Sequence, residues 1–185
     1  MNFAAKALNF DDASSNISLN APITINVDGF VQLLNDENFN VIIVDCRFNY
    51  EYKGGHIKKA FNIPFSTENG KQFYESLTAL CKMSNNNKKN VIVFYCEFSS
   101  VRGPKTLNQF REYDRQQNAH VYPNLTYPNI YLLEGGYCNI YNKNITLTTG
   151  EYTCMRDDDA TIVQEITINR KRNIDHRRFV PNDLY

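Results

Sequence analysis

Short apolar runs alternate with amphipathic stretches along most of this sequence. The runs at 41–45 and 91–95 are continuous and rich in β-branched residues, as expected for strands buried on both faces of a sheet. Shorter runs at 60–64 and 130–134 predict two further strands. The predicted helices cover residues 28–35, 49–54, 69–83 and 102–117, with a short helix after the turn at Gly135 and Gly136. Strands that alternate with helices indicate an α/β domain with a parallel sheet flanked by helices on both sides.

The two ends of the chain depart from this pattern. Residues 1–20 have no sustained periodicity, and we expect a loose N-terminal arm there. Residues 157–185 begin with three aspartates and continue with a cluster of lysines and arginines. This charged C-terminal tail can form a helix, although its β-branched residues disfavour one. We therefore expect the folded domain to occupy residues 21–156.

The composition narrows the class of protein. The 185 residues include 20 Lys and Arg and 20 Asp and Glu, so the formal net charge is zero and the broad basic field of a nucleic-acid-binding protein is missing. No apolar run approaches the roughly 20 residues that span a bilayer, and the first residues lack the apolar stretch of a signal peptide. We expect a monomer in the cytoplasm or nucleus, with neither a nucleic acid nor a membrane as its partner.

The five cysteines are widely spaced, and no pair has the Cys-x-x-Cys spacing. In a reducing compartment this arrangement argues against both a disulfide framework and a zinc site. A chain of this length buries enough surface to fold without either. The sequence therefore predicts no metal and no cofactor, and it leaves the cysteines as buried thiols or as a reactive one.

The segment from 91 to 105, VIVFYCEFSSVRGPK, carries the clearest chemistry. A predicted strand is followed by Cys96, five residues, and Arg102 at the start of a predicted helix. A tight loop entering a helix can direct its backbone N–H groups at a phosphate, with added partial positive charge from the helix N-terminus. The N–H groups of this predicted phosphate-binding loop belong to Glu97, Phe98, Ser99, Ser100, Val101 and Arg102.

The same loop suits a nucleophilic cysteine. Arg102 can bind two phosphoryl oxygens with its forked donors, and the loop that binds the dianion also stabilises a Cys96 thiolate. Attack on phosphorus would give a phosphocysteine that water later hydrolyses. On the spacing alone, the alternative stays open that Cys96 is a buried thiol at a strand end and Arg102 a surface charge.

Three longer segments carry a resemblance to a known family. VDCRFNYEYKGGHI, CEFSSVRGPK and YPNLTYPNIYLLEGGY resemble the signatures of the M-phase inducer phosphatases, the cell division cycle 25 type of dual-specificity protein phosphatase. The likeness runs from about residue 25 to residue 152. It implies a rhodanese-like fold with a five-stranded parallel sheet. It also implies removal of phosphate from adjacent threonine and tyrosine residues of a cyclin-dependent kinase bound to its cyclin, which activates the kinase and promotes cell-cycle progression.

The resemblance also assigns roles to individual residues. By position, Cys96 is the nucleophile and Arg102 the phosphate-binding arginine. Arg111 and Arg115, one turn apart on the predicted helix, match the arginines with which the family docks its kinase. Without the resemblance, these two arginines would be an ordinary solvated helix face.

Two positions depart from the family pattern. Tyr95 replaces a histidine that usually precedes the nucleophile, and Val101 replaces a glutamate that has been proposed as the general acid. Both changes predict a slow enzyme, because a thiolate-stabilising imidazole and a proton donor are missing. Asp45 and Glu97 remain as candidate acids or structural supports, and the substrate kinase can also supply the proton. We expect Asp45, at the end of a buried strand, to accept hydrogen bonds or to pair with an arginine.

Three other functions compete with the phosphatase. Rhodanese-type arsenate reductases use the same cysteine loop on an oxyanion, but they are shorter and lack the EFSS, docking-helix and YLLEGGY segments. A sulfurtransferase typically has a loop one residue shorter. An inactive domain that binds phosphate or kinase without turnover is the third alternative, since Tyr95 and Val101 depart from the active pattern.

Cys46 ends the apolar run VIIVDC much as Cys96 ends VIVFYC. If the two strands are parallel and adjacent, both thiols emerge at the same edge of the sheet. The resemblance implies that Cys46 is a resolving cysteine, which captures oxidised Cys96 as a disulfide. The remaining cysteines, Cys81, Cys138 and Cys154, are interpreted as ordinary thiols.

Overall fold

The computed structural model describes residues 22–65, 70–83 and 88–155. The predicted arm at 1–20 and the predicted tail at 157–185 lie outside the described residues. The strands are β1 (Thr24–Ile25), β2 (Phe39–Asp45), β3 (Gly55–Ile57), β4 (Phe61–Asn62), β5 (Lys89–Tyr95), β6 (Ile130–Leu133) and β7 (Thr148–Gly150). The helices are α1 (Val27–Asn35), α2 (Asn49–Gly54), α3 (Gly70–Met83), α4 (Arg102–Gln117) and α5 (Gly136–Lys143).

Five strands form one parallel sheet in the order β1-β6-β5-β2-β4. The two long strands, β2 and β5, pair along all seven residues, from Phe39 opposite Lys89 to Asp45 opposite Tyr95. The two remaining strands, β3 and β7, form a separate antiparallel pair. The α/β prediction with a five-stranded parallel sheet is therefore confirmed.

Helices cover both faces of the sheet and give three layers. One face packs against α1 and α5, which contribute Phe30, Leu33, Tyr137 and Ile140 to the core. The other face packs against α3 and α4, which contribute Leu77, Leu107 and Phe110. Burial on both sides explains why β2 and β5 are continuous apolar runs rather than alternating ones.

The sequence located the helices and the two long strands well and the short strands poorly. Helix α4 spans the predicted residues, and α1 begins one residue early, where the side chain of Asn26 accepts a hydrogen bond of 2.8 Å from the backbone N–H of Gly29. The strand predicted over 60–64 has only two residues. Strands β1, β3 and β7 were not predicted, because two or three residues are too few to show a period.

The sheet places two cysteines side by side. Strands β2 and β5 end at the same level, and Cys46 and Cys96 each follow directly. The backbone N–H of Cys46 donates to the carbonyl of Tyr95 at 2.8 Å, which extends the pairing one step beyond the strands. The edge at the carboxyl ends of these strands is where parallel sheets bind ligands. In the part of the chain that the structure describes, every helix is too short or too polar to span a bilayer.

Candidate active site

The loop between β5 and α4 is held by the N-terminus of α5. The carbonyls of Cys96 and Glu97 accept hydrogen bonds from the N–H groups of Tyr137 at 2.9 Å and Cys138 at 3.0 Å. Gly136 permits this contact, because it has a φ of +60° and an added Cβ would lie 2.3 Å from the carbonyl oxygen of Cys96. The turn at Gly135 and Gly136 therefore holds the loop in place through the carbonyls of Cys96 and Glu97.

The carbonyls of Cys96 and Glu97 bind α5, and the other side of the loop faces a cleft. Ser99 adopts a left-handed conformation with a φ of 55°, which helps the chain to close a tight turn. None of the hydrogen bonds between described residues uses a backbone N–H of residues 97–101 as its donor. These donors, together with the start of a 16-residue helix, give the loop the character of an anion-binding site.

Arg102, the first residue of α4, is oriented by a carboxylate from α2. Its Nη2 lies 3.0 Å from Oε1 of Glu51, and its Nη1 donates to Oε2 of the same residue. Glu51 is fully buried and also accepts from the backbone N–H of Phe48 at 2.9 Å, and the guanidinium carbon lies 5.2 Å from the centre of the Phe48 ring. Burial tends to lower the pKa of Arg102, but the Glu51 carboxylate more than offsets it, so the net shift is upward.

The cleft in front of the loop has a volume of about 750 Å³. Its lining consists of Cys96, Glu97, Phe98, Ser100, Val101, Arg102, Cys154 and Met155. Phe98 and Val101 are 56% and 54% exposed, so the rim is apolar where an acidic residue was expected from the family pattern. The structure therefore brings the predicted nucleophile, loop and arginine together in one concave site.

Two residues of the segment 151–155, Cys154 and Met155, also line the cleft, and we call this segment the wall segment. The hydroxyl of Tyr152 donates to Oε1 of Glu97 at 2.9 Å. The hydroxyl of Tyr50 donates to the backbone carbonyl of Met155, also at 2.9 Å. Glu51, Tyr152 and Cys154 were not recognised as site residues from the sequence, because each lies more than 40 positions from the loop and no spacing links them to it.

The two candidate acids have different surroundings. Glu97 borders the cleft, accepts the Tyr152 hydroxyl, and places Oε2 3.8 Å from Nη2 of Arg102. Asp45 is fully buried, and its carboxylate accepts from the Arg47 guanidinium and from the Tyr95 hydroxyl, each at 2.7 Å. Asp45 is thus a structural support, as expected for a buried carboxylate at a strand end.

Tyr95 lies on the opposite face of the sheet from Cys96. Tyr95 belongs to the core beneath α1 and α5, whereas Cys96 and Cys46 belong to the core beneath α3 and α4. The Tyr95 hydroxyl donates to Asp45 and accepts from the backbone N–H of Ile57 at 3.2 Å. It therefore stabilises the sheet and the β3 segment rather than contacting the thiol.

Cys46 lies beside Cys96, the predicted nucleophile, but has no access to solvent. Its exposure is 0%, and burial strongly raises the pKa of its thiol. The strand pairing brings the two cysteines to adjacent positions, as the sequence suggested. Its role as a resolving cysteine stays a prediction, and the raised pKa disfavours the thiolate that such a reaction needs.

The two predicted docking arginines differ in their contacts. The Arg111 guanidinium donates to the carbonyls of Tyr127 at 2.7 Å and Pro128 at 2.9 Å, and it also contacts Asp114. Arg111 therefore fastens α4 to the segment before β6. Arg115 is exposed and lines a groove with Tyr122 at the end of the helix. Of the two, Arg115 is the more exposed to solvent.

The described residues contain no group of three or more His, Cys, Asp or Glu side chains arranged to hold a metal ion. The cysteine loop, the helix N-terminus and the arginine are instead the elements of a phosphate or oxyanion site. The comparison with known proteins accords with this description. The rhodanese-like domain family matches residues 26–143.

The chain belongs to this family. Within it, this rhodanese-like domain is 48% identical over 113 residues to M-phase inducer phosphatase 3 of Xenopus laevis, which covers 60% of this chain and 19% of the relative. It is 42% identical over 124 residues to M-phase inducer phosphatase 2 of Homo sapiens, covering 65% of this chain and 20% of the relative. The resemblance seen in the sequence is confirmed, although the chain spans only a fifth to a third of the length of most such relatives.

Solved structures show the same fold. A yeast protein tyrosine phosphatase of the rhodanese family has a TM-score of 0.54 at 17% identity, covering 75% of this chain and 96% of that chain. An As–Sb reductase from Leishmania major has a TM-score of 0.53 at 19% identity, covering 80% of this chain and 99% of that chain. At such identities both likenesses show the rhodanese-like fold alone.

The position of Tyr95 leads to a test of whether it influences the thiol. Tyr95→Phe removes a hydroxyl that pairs with Asp45 and with the N–H of Ile57, so we expect the free energy of unfolding in urea to fall by about 1–3 kcal/mol. The pH dependence of Cys96 alkylation by iodoacetamide should stay unchanged. Tyr52→Phe, which removes a half-buried hydroxyl bonded to the Ala60 carbonyl, is the matched control. A shifted alkylation profile in Tyr95→Phe alone would contradict this assignment.

Proposed function

We propose that this rhodanese-like domain is a cysteine-dependent dual-specificity protein phosphatase acting in the cytoplasm or nucleus. Its proposed substrate is a cyclin-dependent kinase, with its cyclin, phosphorylated on threonine and tyrosine, so that the reaction promotes cell-cycle progression. The observation that carries the proposal is that Cys96, the loop and Arg102 line one cleft. The identity of 48% to a relative named M-phase inducer phosphatase 3 supports the same conclusion.

The geometry suggests which part of the reaction each residue performs. A Cys96 thiolate attacks phosphorus, the bond to the substrate oxygen breaks, and a phosphocysteine forms that water then hydrolyses. The loop N–H groups and Arg102 stabilise charge on the equatorial phosphoryl oxygens. An arginine has five N–H donors, and Glu51 occupies only one on each terminal nitrogen. Arg102 can therefore bind phosphate while Glu51 still holds its orientation.

The nucleophile is tested by replacing its sulfur. Cys96→Ser should lower the hydrolysis of an aryl phosphate by about 10³-fold or more, because the attacking atom is lost. Phosphate binding, measured by calorimetry, should persist because the loop and Arg102 remain. Cys138→Ser, at a half-buried thiol that does not line the cleft, is the control and should stay active.

The same assays separate the competing functions. If the native protein reduced arsenate in a thiol-dependent reaction and hydrolysed no phosphate ester, its function would be that of an arsenate reductase rather than a phosphatase. Phosphate or kinase binding without either reaction would indicate an inactive binding domain. Both results would contradict the proposal.

The missing acid at position 101 predicts a slow reaction. Val101 is 54% exposed and lines the cleft, so a carboxylate placed there could reach a leaving group. We expect Val101→Glu to raise the turnover of a phosphorylated kinase by about tenfold or more, since general acid catalysis typically contributes 10² to 10⁴. Val101→Gln has nearly the same shape without the acid and should not raise the rate. An unchanged or lower rate in Val101→Glu would show that the missing acid is not the cause of slow turnover.

The exposed end of α4 is proposed to dock the kinase. Arg115→Ala should leave the hydrolysis of an aryl phosphate unchanged and lower kcat/KM on the kinase roughly two- to fivefold, as for loss of an exposed ion pair. Arg111→Ala should instead lower the free energy of unfolding by about 1–3 kcal/mol, because the carbonyls of Tyr127 and Pro128 and the carboxylate of Asp114 each lose one donor. Equal loss on both substrates in a stably folded Arg115→Ala would argue against docking at this site.

A further inference from the structure

Three exposed apolar side chains line the candidate active-site cleft, and we call them the apolar rim. Phe98 and Val101 belong to the phosphate-binding loop, and Met155 belongs to the wall segment. They are 56%, 54% and 39% exposed. Single apolar side chains on a surface need no explanation, but several around one cavity are typical of a site that binds an apolar group.

The apolar rim is suited to the part of a substrate that adjoins its phosphate. When the loop N–H groups and Arg102 hold the phosphoryl group, the carbons attached to the ester oxygen extend from the loop into the cleft. In phosphotyrosine these carbons form a ring, which can pack against Phe98 and bring its edge to the sulfur of Met155. In phosphothreonine they carry one methyl group and offer much less apolar surface. The rim therefore fits an aryl phosphate better than an alkyl phosphate.

The cleft also has few groups that can protonate a leaving group. Among the described residues that line it, Glu97 is the one carboxyl group, and none is a histidine. Glu97 accepts the Tyr152 hydroxyl at 2.9 Å and lies 3.8 Å from Arg102. Both contacts use Glu97 as a carboxylate, which has no proton to donate. At position 101, where the family pattern has a glutamate, this chain has a valine.

A missing acid affects the two phosphoesters unequally. When the Cys96 sulfur attacks, an S–P bond forms, the P–O bond breaks, and the bonding pair leaves with the ester oxygen. Without an acid, this oxygen leaves as an anion and takes a proton from solvent afterwards. The phenol of tyrosine has a pKa of about 10, whereas an aliphatic alcohol is about as weak an acid as water. The alkoxide of threonine is therefore the far poorer leaving group and depends more on general acid catalysis.

We propose that this cleft selects phosphotyrosine over phosphothreonine, and that Val101 is the specificity-determining residue. Val101 acts in two ways, since it adds apolar surface next to the aromatic ring and supplies no proton to an alkoxide. The inference rests on the proposed phosphatase function and deepens it by naming the preferred substrate class, esters of a phenol. Both esters remain substrates, but the phosphothreonine ester is hydrolysed much more slowly.

The experiment compares two peptides that differ only in carrying phosphotyrosine or phosphothreonine at one position. The kcat/KM for phosphate release is measured with the native protein, Val101→Glu and Val101→Gln. We expect the native protein to favour phosphotyrosine by about 10²-fold or more, the lower range of general acid catalysis. Val101→Glu should lower this ratio about tenfold or more, whereas Val101→Gln should keep it within about twofold. Any effect of the new charge that is common to both peptides cancels in the ratio.

A second variant tests the contact with the aromatic ring. Met155→Ala should raise KM for the phosphotyrosine peptide about two- to fivefold and change KM for the phosphothreonine peptide less, because only the first has a ring to contact the sulfur. Met83→Ala is the control, since Met83 is 84% exposed at the end of α3 and does not line the cleft. An equal rise in KM for both peptides would contradict the contribution of the rim.

Similar kcat/KM values for the two peptides in the native protein would overturn the proposal. A strong preference for phosphotyrosine that Val101→Glu leaves unchanged would overturn the role of Val101. In both cases the proposed phosphatase function would stand, because phosphate is released. If the native protein released phosphate from neither peptide nor from an aryl phosphate, the proposed function would be refuted and this inference with it.

Discussion

The site depends on two backbone hydrogen bonds that reach the loop from the start of α5. The N–H groups of Tyr137 and Cys138 occupy the carbonyls of Cys96 and Glu97, and Gly136 allows the close approach. A peptide plane whose carbonyl is held on one side presents its N–H to the other. The contact therefore couples an element near residue 136 to the direction of donors at the nucleophile, 40 positions earlier in the chain.

A second constraint lies on the other face of the sheet. Asp45, Arg47 and Tyr95 form a buried polar group in which Asp45 accepts from both partners. Arg47 also donates to the carbonyl of Gly55 at 2.6 Å, and its guanidinium carbon lies 4.0 Å from the centre of the Tyr137 ring. The group thus links the ends of β2 and β5 to β3 and to α5. A charged pair buried away from solvent depends on such hydrogen bonds. Nη1 of Arg47 is the exception, since it is buried without a hydrogen-bond partner among the described residues.

The sequence was most informative where a signal was local. Each of these signals lies within one short stretch of sequence: the apolar run of β2, the apolar run of β5, and the spacing from Cys96 to Arg102. They predicted the sheet, the loop and helix α4. The surroundings of Arg102 depend on Glu51, and the cleft wall depends on Tyr50 and Tyr152. These contacts join segments 50 or more positions apart, and no periodicity or spacing encodes them. The family resemblance assigned the same docking role to Arg111 and Arg115, although only packing distinguishes an engaged guanidinium from an exposed one.

Helix α4 carries Arg102, the proposed phosphate-binding residue, at its start and the exposed Arg115 near its end. Since an α-helix rises 1.5 Å per residue, the 13 steps from Arg102 to Arg115 place these two positions about 20 Å apart along a rigid axis. The helix therefore sets the distance between these two positions. A folded partner that presents a phosphate and an acidic patch at this separation can occupy both ends at once. A short phosphopeptide can occupy only the first, so the length of one helix would favour intact proteins over fragments of the same local sequence.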